Sequence, residues 1–339
     1  MKLSVGRSTL KLKQPLETAK GVIAERFGFR VTFETAGVTG RGEAFPLQAW
    51  GTESVDEADR ALSQFEVEKV PTSIDEIAEV TSRLESTPTA RFAAESALLE
   101  YLARSKKISV AALFAATFKP EVTVSALIAG DSAQALTEAG AQAVKRGFRT
   151  VKTKVARRPL SVDAQRLLAL RRAIGPDVAL RIDANEGWSE ARALSALRGF
   201  ESLNIEVCEQ PIRASDVEGL RRLSWHVPTP IAADETLAIP DARTHILSGT
   251  SSPVVDVLVL KPAVLGGIIP ALKLAERAAQ IGLRCYVTTM LDGPIACAAA
   301  ATLAAVIPGG DMAHGLATEE HFDPSTESVP AAVNGKLRV

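Results

Sequence analysis

The sequence predicts an α/β protein built as a (β/α)-barrel preceded by a smaller α+β domain, and three features carry that reading. Eight short β-branched runs follow Pro120, they alternate with Ala/Leu-rich helical runs, and five of them end in charged residues. Strands joined by helical crossovers lie parallel, and eight is the number that closes such a sheet into a barrel. The alternative is an open doubly wound sheet, but no glycine-rich GxGxxG turn follows the first strand.

The elements follow in order. Lys2 to Leu12 alternates polar and apolar residues, and Phe27 to Glu34 is rich in aromatic and β-branched residues, so both read as antiparallel strand. Ala36 to Gly40 supplies a turn before Glu43. From Ser54 the apolar residues Val55, Ala58, Leu62 and Phe65 recur at helical spacing. A longer helical run, Ala90 to Leu102, follows the start signal Thr87-Pro88-Thr89. These elements define an α+β unit over residues 1–117, with the tail 318–339 expected to join it. The barrel is expected over 118–317. Its strands are Val122–Ala129, Thr150–Val155, Leu180–Ala184, Ile205–Gln210, Pro230–Glu235, Val254–Lys261, Arg284–Met290 and Met312–Leu316. Helices over Ser132–Arg146, Val162–Ile174, Glu190–Phe200 and Ile268–Ile281 separate several of them.

Composition excludes several classes of function. Lys plus Arg number 39 against 40 Asp plus Glu, so the chain lacks the basic excess of a nucleic-acid or anionic-membrane binder. The N-terminus has no apolar core of a signal peptide, and no apolar run nears the ~20 residues that span a bilayer. Ile295 to Ile307 is Ala-rich and reads as a buried helix. Cys208, Cys285 and Cys297 form no CxxC pair, which fits a reducing cytoplasm. The expectation is a cytoplasmic enzyme acting on a small carboxylate, without nucleic-acid or membrane partners and compatible with a homo-oligomer.

The charged strand ends carry the chemistry. Lys152 and Lys154 lie in TVKTKV, Asp183 in RIDAN, Glu209 in CEQP, Asp234 in AADE and Lys261 in VLKP. From Lys154 the intervals are 29, 26, 25 and 27 residues, each about one strand–helix unit. In a barrel these side chains converge at the mouth formed by the C-terminal strand ends. Three carboxylates without a Cys or His set suit Mg²⁺, with Mn²⁺ as a substitute, and do not suit zinc. Lys152 and Lys154 share one face of their strand, and their repulsion disfavours the ammonium form. A lysine made partly neutral can take a proton from the carbon beside a carboxylate, provided a metal stabilises the enediolate. Lys261 falls roughly across the mouth, as a second acid/base or a charge-holding cation. Taken singly, such residues are more often helix caps or solvated surface groups. The joint pattern on five successive strands favours function. His314 reads as a structural hydrogen-bonding residue at a strand end.

These residues resemble the enolase superfamily in its muconate-lactonizing subgroup, known for a lysine base and a Mg²⁺-stabilised enediolate. Gly40-Arg41-Gly42-Glu43-Ala44-Phe45-Pro46-Leu47 is similar to the GxGEAxPL segment of that family's capping domain. Ala90 to Leu99 resembles its capping helix, and Thr18-Ala19-Lys20-Gly21 its substrate-closing loop. The resemblance implies a modified TIM barrel of (β/α)7β type. It makes Lys154 the base, with Lys152 lowering its pKa and contacting the substrate carboxylate. Asp183, Glu209 and Asp234 become the metal ligands. Asn185 and Glu235 would orient a ligand, Asn185 equally fitting a helix cap. Thr18, Thr289 and Asp292 fall where substrate contacts are expected, although many relatives have Glu at the place of Asp292.

Within the subgroup, Ser125–Ile128, Arg181–Asn185 and Ala313–Thr318 resemble o-succinylbenzoate synthases. That resemblance implies a lyase dehydrating a cyclohexadiene carboxylate in menaquinone biosynthesis. The alternative is an isomerase, racemising an N-acylamino acid or epimerising a dipeptide, with Lys154 and Lys261 as opposed bases. Dipeptide epimerases usually carry Asp-x-Asp near the eighth strand, and Gly310–His314 lacks the second Asp. A barrel that binds a small molecule without turnover is the remaining alternative.

Overall fold

The computed structural model describes residues 1, 3–18, 21–248, 253–323 and 329–339, with backbone alone for 16–18. Strands β1 (Ser4–Thr18), β2 (Gly21–Thr35) and β3 (Val38–Ala44) form an antiparallel sheet in that order. Phe29, Val31 and Phe33 alternate inward from β2, giving the sheet one buried face. That face receives helices α1 (Val55–Gln64) and α3 (Pro88–Ser105), and α2 (Ile74–Thr81) packs on α3. Ser54 starts α1 through a reciprocal capping box with Glu57, as its sequence position suggests. Helix α3 is buried almost all round, because it lies between the sheet and the barrel helices. The glycines of Gly40-Arg41-Gly42 in β3 permit this packing, the turn being confined to Ala36 and Gly37. A Cβ at Gly40 would stand 2.0 Å from the Ala97 carbonyl oxygen, and one at Gly42 1.9 Å from that of Ala93.

A short helix, α4 (Ala111–Phe114), leads into the barrel. The barrel runs β4 (Glu121–Ile128), α5 (Ala133–Lys145), β5 (Thr150–Lys154), α6 (Leu160–Ile174), β6 (Ala179–Asp183), α7 (Glu190–Gly199) and β7 (Ile205–Glu209). It continues with α8 (Val217–His226), β8 (Ile231–Ala233), α9 (Pro240–Leu247), β9 (Val257–Leu260), α10 (Pro262–Leu265) and α11 (Ile268–Gln280). It ends with β10 (Arg284–Val287), α12 (Pro294–Val306) and β11 (His314–Ala317). Successive strands from β4 to β10 pair in parallel, and β11 pairs beside β4. The ring closes between β10 and β11 through a parallel bridge from Thr288 to Gly315. His314 Nδ1 also accepts the Val287 N–H at 3.0 Å. Burial, with Arg181 and Lys119 nearby, lowers the His314 pKa to about 3, so the ring is neutral and able to accept. Among the described residues, eight parallel strands with no crossover helix after β11 make the (β/α)7β barrel with its capping domain.

Val207, Ala232, Val257, Val259 and Tyr286 fill the barrel interior with Met312. Side-chain direction repeats every two residues. Glu209, Asp234, Lys261 and Thr288 are therefore carried to the same side, one layer nearer the mouth. Among the described residues no helix is long and apolar enough to cross a membrane.

The tail divides between the two parts, whereas the sequence reading assigned it wholly to the first. Phe322 bridges Leu12 of β1 and the Asp323 N–H donates to Lys11 at 2.9 Å. The last strand, β12 (Lys336–Arg338), instead pairs antiparallel with β4 of the barrel. The beginning of β4, Glu121 to Thr123, lies outside its pairing with β5 and leaves an edge for β12.

Two buried glutamates tie the capping domain to the barrel. Glu43 Oε2 accepts the Ile295 and Ala296 N–H groups at 2.9 and 3.2 Å, and Arg30 donates to Oε1 at 3.0 Å. Glu95 Oε1 accepts the Ile269 N–H at 3.0 Å. Gly293 and Gly267 stand at the N-cap positions of α12 and α11, and neither offers a capping side chain. The glutamates take that role from across the interface, in space a Cβ on either glycine would occupy. Substituting Glu43→Ala is expected to cost about 2–4 kcal/mol by leaving both N–H groups without their acceptor. Urea unfolding reads this directly, and an unchanged midpoint would contradict the role.

Candidate active site

Register brings the predicted residues together. Lys154 lies opposite Asp183 across β5 and β6, and Asp183 lies opposite Glu209 across β6 and β7. Glu209 pairs with Ala232, which sets Asp234 two residues further along. Asp234 and Glu235 leave β8 for a 3-10 turn, so the strand is shorter than the expected Pro230–Glu235. Lys261 follows β9, four strands round the ring from β5. All of these except Glu235 line one pocket with Lys152, and the capping domain adds Ile23, Leu47 and Trp50.

The carboxylates are held by lysines. Lys152 Nζ lies 2.6 Å from Glu209 Oε2 and 3.0 Å from Asp183 Oδ2. Lys261 Nζ lies 2.5 Å from Asp234 Oδ2. The Tyr286 hydroxyl donates to Glu209, and Arg181 stacks over the Tyr286 ring with its Nε on Glu206. Gln210 Oε1 accepts the Asp234 and Thr236 N–H groups at 2.9 and 3.1 Å and so fixes the turn beneath Asp234.

Electrostatics separate the three lysines. Burial lowers the Lys154 pKa; Asp183 opposes this, and Lys152, Arg157 and Lys261 add to it. Burial also acts to lower Lys152, but Asp183, Glu209, Tyr286 and Asp234 together hold it well above the ordinary range. Lys261 is raised in the same way, burial being outweighed chiefly by Asp234 and Glu235. One lysine is thus inclined to be neutral, opposite one held charged. The repulsion expected from Lys152 does act on Lys154, but burial is the larger cause.

As the side chains stand, no three His, Cys, Asp or Glu among the described residues are gathered to hold a metal ion. The Lys152 and Lys261 ammonium groups instead pair with these carboxylates. The donor set still fits a hard divalent cation. Asp183, Glu209 and Asp234 are buried, offer oxygen alone, and stand on three adjacent strand ends.

The other sequence candidates fall in varied places. The Asn185 N–H donates to Asp183 Oδ1 at 3.0 Å and its Nδ2 to Glu235 Oε1 at 3.2 Å. Capping of the next helix belongs to Ser189, not Asn185. Burial, followed by Asp234, pushes Glu235 to about 8. Thr289 lines the pocket. Asp292 is buried outside the lining, where its Oδ2 accepts the Met290 N–H at 3.1 Å and its charge faces Arg26. Thr18 ends β1 opposite Gly21, but its side chain, with Ala19 and Lys20, lies outside the described residues.

Sequence reasoning missed Trp50 and Tyr286. The indole of Trp50 lies 5.8 Å from Lys154 Nζ and 5.3 Å from Lys261 Nζ, measured to the ring centroid. Its one signal was a tryptophan before Gly51, just past the GxGEAxPL segment. Tyr286 could have been found by counting two back from Thr288 along strand seven.

A family model described as enolase C-terminal domain-like matches residues 135–339. An L-Ala-D/L-Glu epimerase from Clostridium acetobutylicum is 34% identical over 190 residues, covering 56% of this chain and 52% of that protein. A hydrophobic dipeptide epimerase from Enterococcus faecalis is 30% identical over 314 residues, covering 89% and 85%. Muconate cycloisomerase 1 from Acinetobacter baylyi is 30% identical over 213 residues, covering 62% and 57%. The chain thus spans about half the length of two of these relatives and most of the third. A solved structure of an Enterococcus faecalis dipeptide epimerase, with Mg and the dipeptide L-Leu-L-Tyr, superposes with TM-score 0.89 and 27% identity. That superposition covers 100% of this chain and 96% of the other. These relatives favour the racemase or epimerase alternative over the dehydration that the sequence reading preferred.

Proposed function

The chain belongs to the enolase superfamily, and on that premise we propose that it moves a proton at the carbon beside a carboxylate, inverting an N-acylated amino acid or dipeptide. The observation that carries this reading is the pair Lys154 and Lys261. They stand four strands apart in the ring, line the same pocket and both lie against one indole. Inversion needs a base on one face of the carbon and an acid on the other. Dehydration to an aromatic product needs only one base and leaves Lys261 without that task.

Lys154, lowered by burial, takes the α-proton. Lys261, held charged, delivers a proton to the opposite face, and the roles exchange in the reverse direction. Lys152 holds Glu209 and Asp183 in place and keeps a positive charge beside the substrate carboxylate. Asp183, Glu209 and Asp234 are the residues that would hold Mg²⁺ or Mn²⁺. Bound there, the cation would stabilise the negative charge that grows on the substrate carboxylate as the proton leaves.

Two features favour an acylated amine over a free one. Asp311, the acid just before the eighth strand, is exposed beside Lys119 at 3.8 Å and is not in the pocket. The remaining acids of the lining are the three metal-ligand candidates, and Ile23, Leu47, Met290 and Leu291 make much of the wall apolar. Among the described residues of that lining a free ammonium would find no separate partner.

Chiral chromatography of optically pure N-acylamino acids and free dipeptides, with the Mg²⁺-supplemented protein, tests the reading. The epimer at the carbon beside the carboxylate is expected, with at least tenfold higher kcat/KM for the acylated substrates, which is about 1.4 kcal/mol of discrimination or more. No inversion, with an aromatic acid formed from a cyclohexadiene carboxylate, would overturn it.

A further inference from the structure

A second cleft lies away from the active site, where α3 of the capping domain meets α9, α10 and α11 of the barrel. Four cations line it: Arg91 from α3, Arg243 from α9, and Lys273 and Arg277 from α11. Among the described residues Glu85 is the one acid in the lining, and its charge acts on Arg243.

Among the described residues none of the four cations is in an ion pair. Arg243 donates to the Leu237 carbonyl at 3.2 Å, and Arg277 to the Leu247 carbonyl at 3.2 Å and to Gln280 at 3.3 Å. These acceptors are neutral, so they fix the side chains without cancelling their charge. Arg30, Arg146 and Arg221, also half-buried, instead pair with Glu43, Glu319 and Glu218, whereas Arg171 donates to backbone carbonyls as Arg243 does. Arg91 Nε is buried with no hydrogen-bond partner. The carboxyl that interacts with both Arg91 and Lys273 is Glu95. Burial pushes that carboxyl to about 8, so it is mostly uncharged at neutral pH and leaves the excess positive charge in place.

Like charges gathered in a concave site between two parts of a molecule raise the local potential and attract an anion. Arginine forks match the oxygens of a tetrahedral oxyanion, and a lysine adds a point charge. We propose that this cleft binds a small phosphate-type oxyanion that bridges the capping domain and the barrel. Its oxygens would take the donors of Lys273 and Arg277 on the barrel side and of Arg91 on the other. The proposal does not depend on the reaction assigned to the active site.

Isothermal titration with inorganic phosphate, at ionic strength fixed by chloride, tests it on the full Mg²⁺-supplemented protein. Saturable binding near one equivalent is expected. Lys273 and Arg277 are exposed, so Lys273→Ala with Arg277→Ala should fold normally and weaken binding at least tenfold. Lys273→Glu, which reverses one charge, should weaken it at least as much. Glycerol 3-phosphate binding more tightly than phosphate would identify a phosphorylated metabolite, and equal affinity would identify free phosphate. Unsaturable heats, or equal affinity in the folded variants, would overturn the site.

Discussion

Lys154→Ala is expected to lower inversion of the substrate by about 10²–10⁴-fold, the usual contribution of a positioned general base. The loss should lie in kcat and kcat/KM together, because the lysine acts only as the proton moves. Binding should persist, since the carboxylates, Lys152 and the apolar wall remain. The variant should also stop exchanging the α-proton of one enantiomer in D₂O while still exchanging that of the other, which Lys261 faces. Proton NMR of each pure enantiomer in D₂O reads the two rates separately. Loss of both exchanges to the same degree would show that the two lysines do not divide the faces between them.

Lys261→Ala is expected to give the mirror result, with inversion reduced by about 10²–10⁴-fold and exchange lost only from the other enantiomer. This substitution carries more structural risk, because Lys261 is the direct partner of Asp234. Removing it leaves a buried carboxylate without its ammonium, and metal affinity would change as well. Lys261→Arg controls for that loss. It keeps the positive charge but cannot readily give up a proton, so it should fold, bind the cation and still fail to invert. Recovery of inversion in Lys261→Arg would move Lys261 from proton transfer to charge stabilisation.

Much of this site was legible because a barrel repeats. Lys154, Asp183, Glu209, Asp234 and Lys261 end strands at intervals of one strand–helix unit, and a parallel ring turns equal intervals into proximity. The alternation rule also placed Lys152 and Lys154 on one face. The ion pairs from Lys152 to Glu209 and Asp183 follow from that placement and the neighbouring strand register, but partner choice depends on side-chain reach across β6 and β7.

What the sequence did not reveal arises where two separate parts meet. Trp50 belongs to a loop of the capping domain, and no periodicity in that loop points at lysines more than 100 residues away. Glu43 was visible as part of a motif, yet its task of capping α12 depends on a helix that begins at Pro294. Glu95 sits in an Ala-rich helix with nothing beside it in sequence to mark its contact with Ile269. The division of the tail has the same origin, since the pairing of β12 with β4 depends on the edge β4 presents. Reaction choice was hardest to read. One lysine and three carboxylates serve dehydration and inversion alike, so local resemblance to o-succinylbenzoate synthases outweighed the second lysine.

The most direct measurement is α-proton exchange by the unmodified protein. An optically pure N-acylamino acid is incubated with Mg²⁺-supplemented protein in D₂O and followed by proton NMR and chiral chromatography. Two lysines on opposite faces predict that the α-proton signal disappears while the other enantiomer grows in carrying deuterium, and that chelation stops both. An α-proton that survives across the range of acylated substrates, with no enantiomer formed, would contradict the account.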